Sequence, residues 1–138
     1  MVVIDASVAF KWFGSGEKHR EQALQILHAH LTKKEAIYAP DLLLYELANA
    51  WATKSQLPAK RMALYLKDLQ DSQLHLARVS TALLQKAIMF SKQYHVSVYD
   101  AAYAELAKEK GCILFTADVK FQEQVKLSFI KNLTEYTA

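Results

Sequence analysis

Met1-Val2-Val3-Ile4-Asp5-Ala6-Ser7-Val8-Ala9-Phe10 opens the chain, and a single carboxylate, Asp5, interrupts an otherwise apolar run. Val2, Val3 and Ile4 are β-branched and apolar without alternation, the pattern of a strand covered on both faces, as in a parallel sheet. Asp5 then stands at the strand's C-terminal end. Buried without a partner, a carboxylate there costs several kcal/mol, so the rest of the chain must solvate it or bind it.

Working outward, strand-like and helix-like segments alternate. Further strands are predicted over residues 36–39, 74–79, 112–116 and 127–130. Helical periodicity covers residues 18–33, with Ala23, Leu24, Ile26, Leu27 and Leu31 as its apolar positions. Pro40 and Pro58 suit the first turns of two more helices, since proline's missing N–H is unpaired there in any case. Ser80 and Ser97 are N-cap residues for two others, and Gly111 ends the second of these. A short helix is predicted over residues 118–125. This order, with few glycines and no hairpin dipeptides, argues for a three-layer α/β fold: a central, mainly parallel sheet of four to five strands flanked by helices. Ligands bind such sheets beyond the carboxyl ends of the strands, where the strand order reverses. Asp5 occupies such a position.

Composition narrows the classes. The 138 residues are 52% hydrophobic and 22% charged, which suits one ordinary soluble domain spanning 1–138 with a real core. No apolar stretch approaches the ~18 to 20 residues of a membrane span, and Asp5 breaks the start of any leader, so a cytoplasmic protein with no membrane partner is expected. The single cysteine, Cys112, has no disulfide partner and reads as a small buried hydrophobe. With glycine only at positions 14, 16 and 111, the phosphate loops of nucleotide-binding folds are excluded. His28 and His30 lie two apart on a helix, face different directions and cannot chelate together.

Three more carboxylates sit where they can join Asp5. Glu46 shares a helical face with Leu43, Leu47 and Ala50, which puts a charge on a core-facing stripe. Asp100 follows Ser97 in the S-x-x-D spacing of a capping box, a role that also leaves it near the sheet edge where ligands bind. Asp118 follows a predicted strand and precedes a helix, as a cap or as a second strand-end acid. If the four converge, their repulsion calls for a hard divalent cation, Mg²⁺ or Mn²⁺, with oxygen ligands.

Four blocks then become familiar together: Val3-Ile4-Asp5-Ala6-Ser7-Val8-Ala9 with Lys11-Trp12-Phe13, the run from Pro40 to Ala50 around Glu46, Tyr99-Asp100-Ala101-Ala102-Tyr103-Ala104-Glu105-Leu106-Ala107, and Leu114-Phe115-Thr116-Ala117-Asp118-Val119-Lys120-Phe121. In this order, and spanning nearly the whole chain, they resemble the PIN-domain ribonucleases, specifically the VapC-type toxins of toxin–antitoxin pairs. The resemblance implies a PIN-like fold and a catalytic, metal-binding set of Asp5, Glu46, Asp100 and Asp118. Ser7 and Thr116 would be supporting polar groups, and Asn49 a contact to a metal ligand or to the substrate. It further implies Mg²⁺- or Mn²⁺-dependent hydrolysis of RNA phosphodiesters, a cognate antitoxin protein as partner, and a homodimer.

The charge distribution agrees with an RNA substrate. Net charge is only +3, but setting the four acids aside leaves 10 acids against 17 bases. Lys11 and Lys120, each following a strand-end acid, are the candidate RNA contacts, with Arg20, Lys54, Lys60 and Arg61 as further approach charges. Tyr45, Trp51 and Tyr99 either stack bases or pack in the core or an interface. Two alternatives stand beside the ribonuclease. One is another metal-dependent phosphohydrolase, such as a haloacid-dehalogenase-like phosphatase, which would want an aspartate where Ser7 stands. The other is a non-catalytic module that binds RNA or a partner protein.

Overall fold

The computed structural model describes all 138 residues. Its centre is β1 (Val2–Ile4), whose three side chains are buried. On one side β1 pairs with β2 (Ile37–Pro40), and on the other with β4 (Ile113–Thr116), where Val3 faces Leu114 and Ile4 faces Phe115. The edges are β3 (His75–Ala77) and β5 (Ile130–Asn132), giving a sheet ordered β3-β2-β1-β4-β5 with every pairing parallel. The expected α/β fold is therefore present, with five strands where four to five were expected and all of them parallel. The unbroken Val-Val-Ile run is explained by its central place, with neighbours on both edges and helices over both faces.

The helices are α1 (Ala6–Ala9), α2 (Arg20–Leu31), α3 (Leu42–Lys54), α4 (Ala59–Asp71), α5 (Thr81–Tyr94), α6 (Val98–Lys110) and α7 (Val119–Val125), with 3-10 turns at Phe10–Trp12 and Leu133–Glu135. α6 lies across β1, β2 and β4 and is backed by α5. α2 and α3 pack on β2, and α1 on β4. Right-handed crossovers put the helices that follow β1 and β2 on one face and those leading into β4 on the other. The chain leaves β1 toward β2, while β4 sits on β1's opposite side. The point where the order reverses thus falls between the ends of β1 and β4. No helix is long and apolar enough to cross a membrane.

Several local expectations are corrected. Pro40 does not open a helix: it ends β2, opposite Ala77, and α3 begins two residues later. Asp41 N–H donates to Ala77 O at 2.8 Å, so the nitrogen of Pro40 points to the other side, where the ladder with β1 has ended at Tyr38. Proline is tolerated there because no ladder donor is required. The last strand falls at Ile130–Asn132 rather than at 127–130, because Lys126 turns into the left-handed region and Ile130 N–H bonds back to Leu127 O. Pairing with β4 then outweighs the polarity of Lys131 and Asn132, which is acceptable on an edge strand. Arg20 is not an approach charge, since its guanidinium donates to Lys11 O and Trp12 O and closes the 3-10 turn. Cys112 is half-buried and forms no disulfide, and burial pushes its thiol up.

Gly111 illustrates how α6 is terminated so that β4 can start. At φ 64° it donates to Lys108 O while Cys112 N–H donates to Ala107 O, a Schellman ending. Nothing lies within 4 Å of a Cβ built there, so the penalty for a side chain is purely one of backbone. Gly111→Ala is expected to cost ~1 kcal/mol, read as a lowered urea midpoint at unchanged m. An unchanged midpoint would show that the left-handed turn does not limit stability.

Candidate active site

Four separate elements converge at the carboxyl edge of the sheet. β1 ends at Asp5, which is 5% exposed and is the N-cap of α1. Its Oδ1 accepts hydrogen bonds from the Ser7 hydroxyl and, at 3.3 Å, from Val8 N–H. α3 begins where β2 ends and carries Glu46 one turn in, on the face whose Leu43 and Leu47 are fully buried. α6 starts at the same edge, before descending to β4, and places Asp100 in its first turn. Asp118 follows two residues after the end of β4, and its Oδ1 accepts Phe121 N–H at 3.1 Å as the N-cap of α7. Asp5, Glu46, Asp100 and Asp118 line one pocket.

The polar groups beneath tie the two strand ends together. Ser7 Oγ donates to Asp5 and accepts Ala117 N–H at 2.8 Å, so one hydroxyl spans the gap between β1 and β4. Thr116 is fully buried, lies 3.4 Å from Ser7 Oγ, and accepts Asp118 N–H at 3.0 Å. Asn49 stands on the pocket wall one turn beyond Glu46. Lys11 and Lys54 also line the pocket, Lys11 with a largely buried side chain whose ammonium lies 3.7 Å from Glu17. Lys120 is exposed on α7 and is not part of the pocket wall. Trp51 is core, whereas Tyr45 and Tyr99 are 76% and 60% exposed.

Capping does not fully explain Asp100. Ser97 Oγ accepts Asp100 N–H at 3.0 Å, but the reciprocal bond from Ser97 N–H to the Asp100 carboxylate is not made. A complete capping box occurs elsewhere, between Asn132 and Glu135. The Asp100 side chain also lines the pocket.

Electrostatically the site is a cluster of like charges. Burial raises the Asp5 carboxyl to about 6, with the charge of Asp100 adding to it and the hydroxyls of Ser7 and Thr116 opposing. Burial also raises Asp100 to about 6, with repulsion from Asp118 and, more weakly, from Glu46 adding to it and the Ser97 hydroxyl opposing. Glu46 is pushed up by burial and pulled back by the Tyr103 hydroxyl. None of the four carboxylates is in a salt bridge with a lysine or arginine. As their side chains stand, no three of them lie close enough to grip one cation. The donor set nevertheless fits a hard divalent cation: it is all carboxylate oxygen, and a cation would relieve the burial and repulsion that raise Asp5 and Asp100.

One pocket residue escapes a reading of the sequence. Tyr103 is 1% exposed and points its hydroxyl at Glu46 rather than serving only as core. The available signal is its spacing: it lies three residues after Asp100, on the same face of α6.

A sequence-family model described as PIN domain matches residues 2–127. Among curated proteins none matches the sequence. Solved structures do. A Mycobacterium tuberculosis protein described as VapC20, a sarcin–ricin loop cleaving toxin, aligns with a TM-score of 0.69 at 13% identity over 91% of this chain and 95% of its own. A toxin–antitoxin complex from Klebsiella pneumoniae aligns at 0.67 and 16% identity, over 99% of this chain and all of that one. FitAcB from Neisseria gonorrhoeae aligns at 0.69 and 16% identity with the same coverage.

Proposed function

The chain belongs to the PIN domain family, and on that premise we propose that it is a Mg²⁺- or Mn²⁺-dependent endoribonuclease, the toxin component of a toxin–antitoxin pair. The observation that carries the reading is the convergence in one pocket of four carboxylates, from the ends of β1 and β4 and from α3 and α6, none of which is paired in a salt bridge. A set built to bind protein cations would have paired; this one is left for an ion and a phosphate. The fold likeness to a toxin described as cleaving the sarcin–ricin loop, and to toxin–antitoxin complexes, supports the choice of substrate and partner.

Asp5 and Asp100 are the residues assigned to hold the cation, with Asp118 and Glu46 completing the set or positioning water. When bound, such a cation lowers the pKa of a water and screens the charge that develops at phosphorus. The chain's own groups then do the rest. Ser7 keeps Asp5 fixed between β1 and β4, and Thr116 holds the backbone of Asp118. Lys11 and Lys54 meet a phosphate backbone entering the pocket. Water adds to phosphorus, the bond to one ester oxygen breaks, and the leaving oxygen takes a proton, so two RNA fragments result.

The reading is tested with purified protein and RNA in Mg²⁺ or Mn²⁺, with and without a chelator. Cleavage that needs the ion supports it. Hydrolysis of small phosphate esters with RNA left intact would favour a phosphatase, and ion-independent RNA binding without cleavage would favour a binding module. Lys11→Ala is expected to weaken RNA binding severalfold and to reduce the log–log salt slope by ~1. An unchanged slope would remove Lys11 from the interface. A second copy of the chain is the further partner proposed, supported by the exposed Tyr45, Leu84, Ile88, Met89 and Tyr99. Light scattering that returns a monomer at micromolar concentration would overturn it.

A further inference from the structure

Tyr103 lies on α6 one turn beyond Asp100 and reaches across to α3, where its hydroxyl donates to Glu46 Oε1 at 2.6 Å. No other protein group donates to that carboxylate, and no basic side chain pairs with it. Glu46 is only half-buried and carries three rotatable side-chain bonds, while its charge is repelled by Asp100. Left to itself, a glutamate in that situation swings toward water and away from its like-charged neighbours. Tyr103 opposes this. Its ring is held by the core at 1% exposure, and its position has only two torsions, so the hydroxyl is a rigid donor. An ordinary phenol is protonated at neutral pH, so the hydroxyl is available to donate.

We propose that Tyr103 is a positioning residue of the acidic pocket: by occupying Oε1 it holds the Glu46 carboxylate among Asp5, Asp100 and Asp118 and leaves Oε2 for a divalent cation or its water. This rests on the cation-dependent reading given above. Tyr103 is assigned no contact of its own with ion or RNA. It acts through Glu46, as partners behind a ligand do when they fix its orientation.

The test is a double-mutant cycle on the full chain, read by calorimetric titration with Mn²⁺ alone and by RNA cleavage across Mn²⁺ concentrations. Tyr103→Phe keeps the ring and deletes the donor, and its Tm is measured alongside to show that the core survives. The expected result is Mn²⁺ affinity reduced about tenfold, with cleavage restored by raising Mn²⁺ rather than lost at saturation. In a Glu46→Ala background, which removes the group Tyr103 is proposed to hold, the same substitution is expected to change Mn²⁺ affinity no further. Wild-type affinity in Tyr103→Phe, or an equal loss with and without Glu46, overturns the proposal while leaving the ribonuclease reading intact. Failure of the wild-type chain to bind Mn²⁺ or cleave RNA overturns both.

Discussion

Asp5→Asn is expected to reduce ion-dependent RNA cleavage by roughly 10²–10³-fold while making the metal-free protein more stable. The substitution is nearly isosteric and retains an oxygen to accept from the Ser7 hydroxyl and Val8 N–H, so α1 keeps its N-cap. What it removes is a negative charge that is 5% exposed and faces Asp100. Activity and stability therefore move in opposite directions, which a merely misfolded variant does not do. Circular dichroism melts in chelator and cleavage assays on the same preparation provide the check. Retained cleavage would withdraw Asp5 from the site. Loss of both activity and Tm would mean that the carboxylate is structural.

The second large effect is on the pH dependence of stability. Asp5 and Asp100 titrate at about 6 in the folded chain against an ordinary 3.8. A raised carboxyl means that the folded state holds protons the unfolded state has released, so its contribution is fully present below pH 3.8 and is lost as pH rises through about 6. For Asp5, which is buried, the loss is roughly 3 kcal/mol; for Asp100, partly open to water, it is smaller. In chelator, urea unfolding at pH 4 is thus expected to give a more favourable contribution from this pair than at pH 7, seen as the difference between wild type and Asp5→Asn. At pH 7, Mn²⁺ at a hundredfold over its dissociation constant is expected to restore about 2.7 kcal/mol to wild type, and much less to the variant. The idea is refuted if the two proteins share one pH profile and one response to Mn²⁺.

The acidic cluster was only partly visible in the chain: Asp5 interrupts a buried strand and Glu46 lies on a core stripe, whereas Asp100 and Asp118 fit ordinary helix caps and joined the set through the resemblance. Charge placed against periodicity is costly, and that cost makes it legible without coordinates. The helix ends were legible for the same local reason: Ser80, Ser97 and Gly111 do at their positions what their side chains dictate. Pro40 was not, because proline's local preference is equally met by a helix start and by a strand end facing no ladder. Only the early end of β1–β2 pairing, at Tyr38, distinguishes them.

Arg20 and Tyr103 mark the boundary most clearly. As residue types, they suggest a phosphate contact and a core aromatic. In the fold one closes a 3-10 turn and the other grips a pocket carboxylate from 57 residues away in the chain. What the amino-acid order determined by itself is the alternation of elements, the buried centre of the sheet, and the oddly placed charges of Asp5 and Glu46, because periodicity and the cost of buried charge act over a few residues; that four carboxylates meet at one edge is a property of the fold. The tertiary structure alone decided which oxygen of each carboxylate is tied down and by whom, and which basic side chains line the pocket. Those are contacts between elements distant in sequence, and their partners are chosen by packing rather than by spacing.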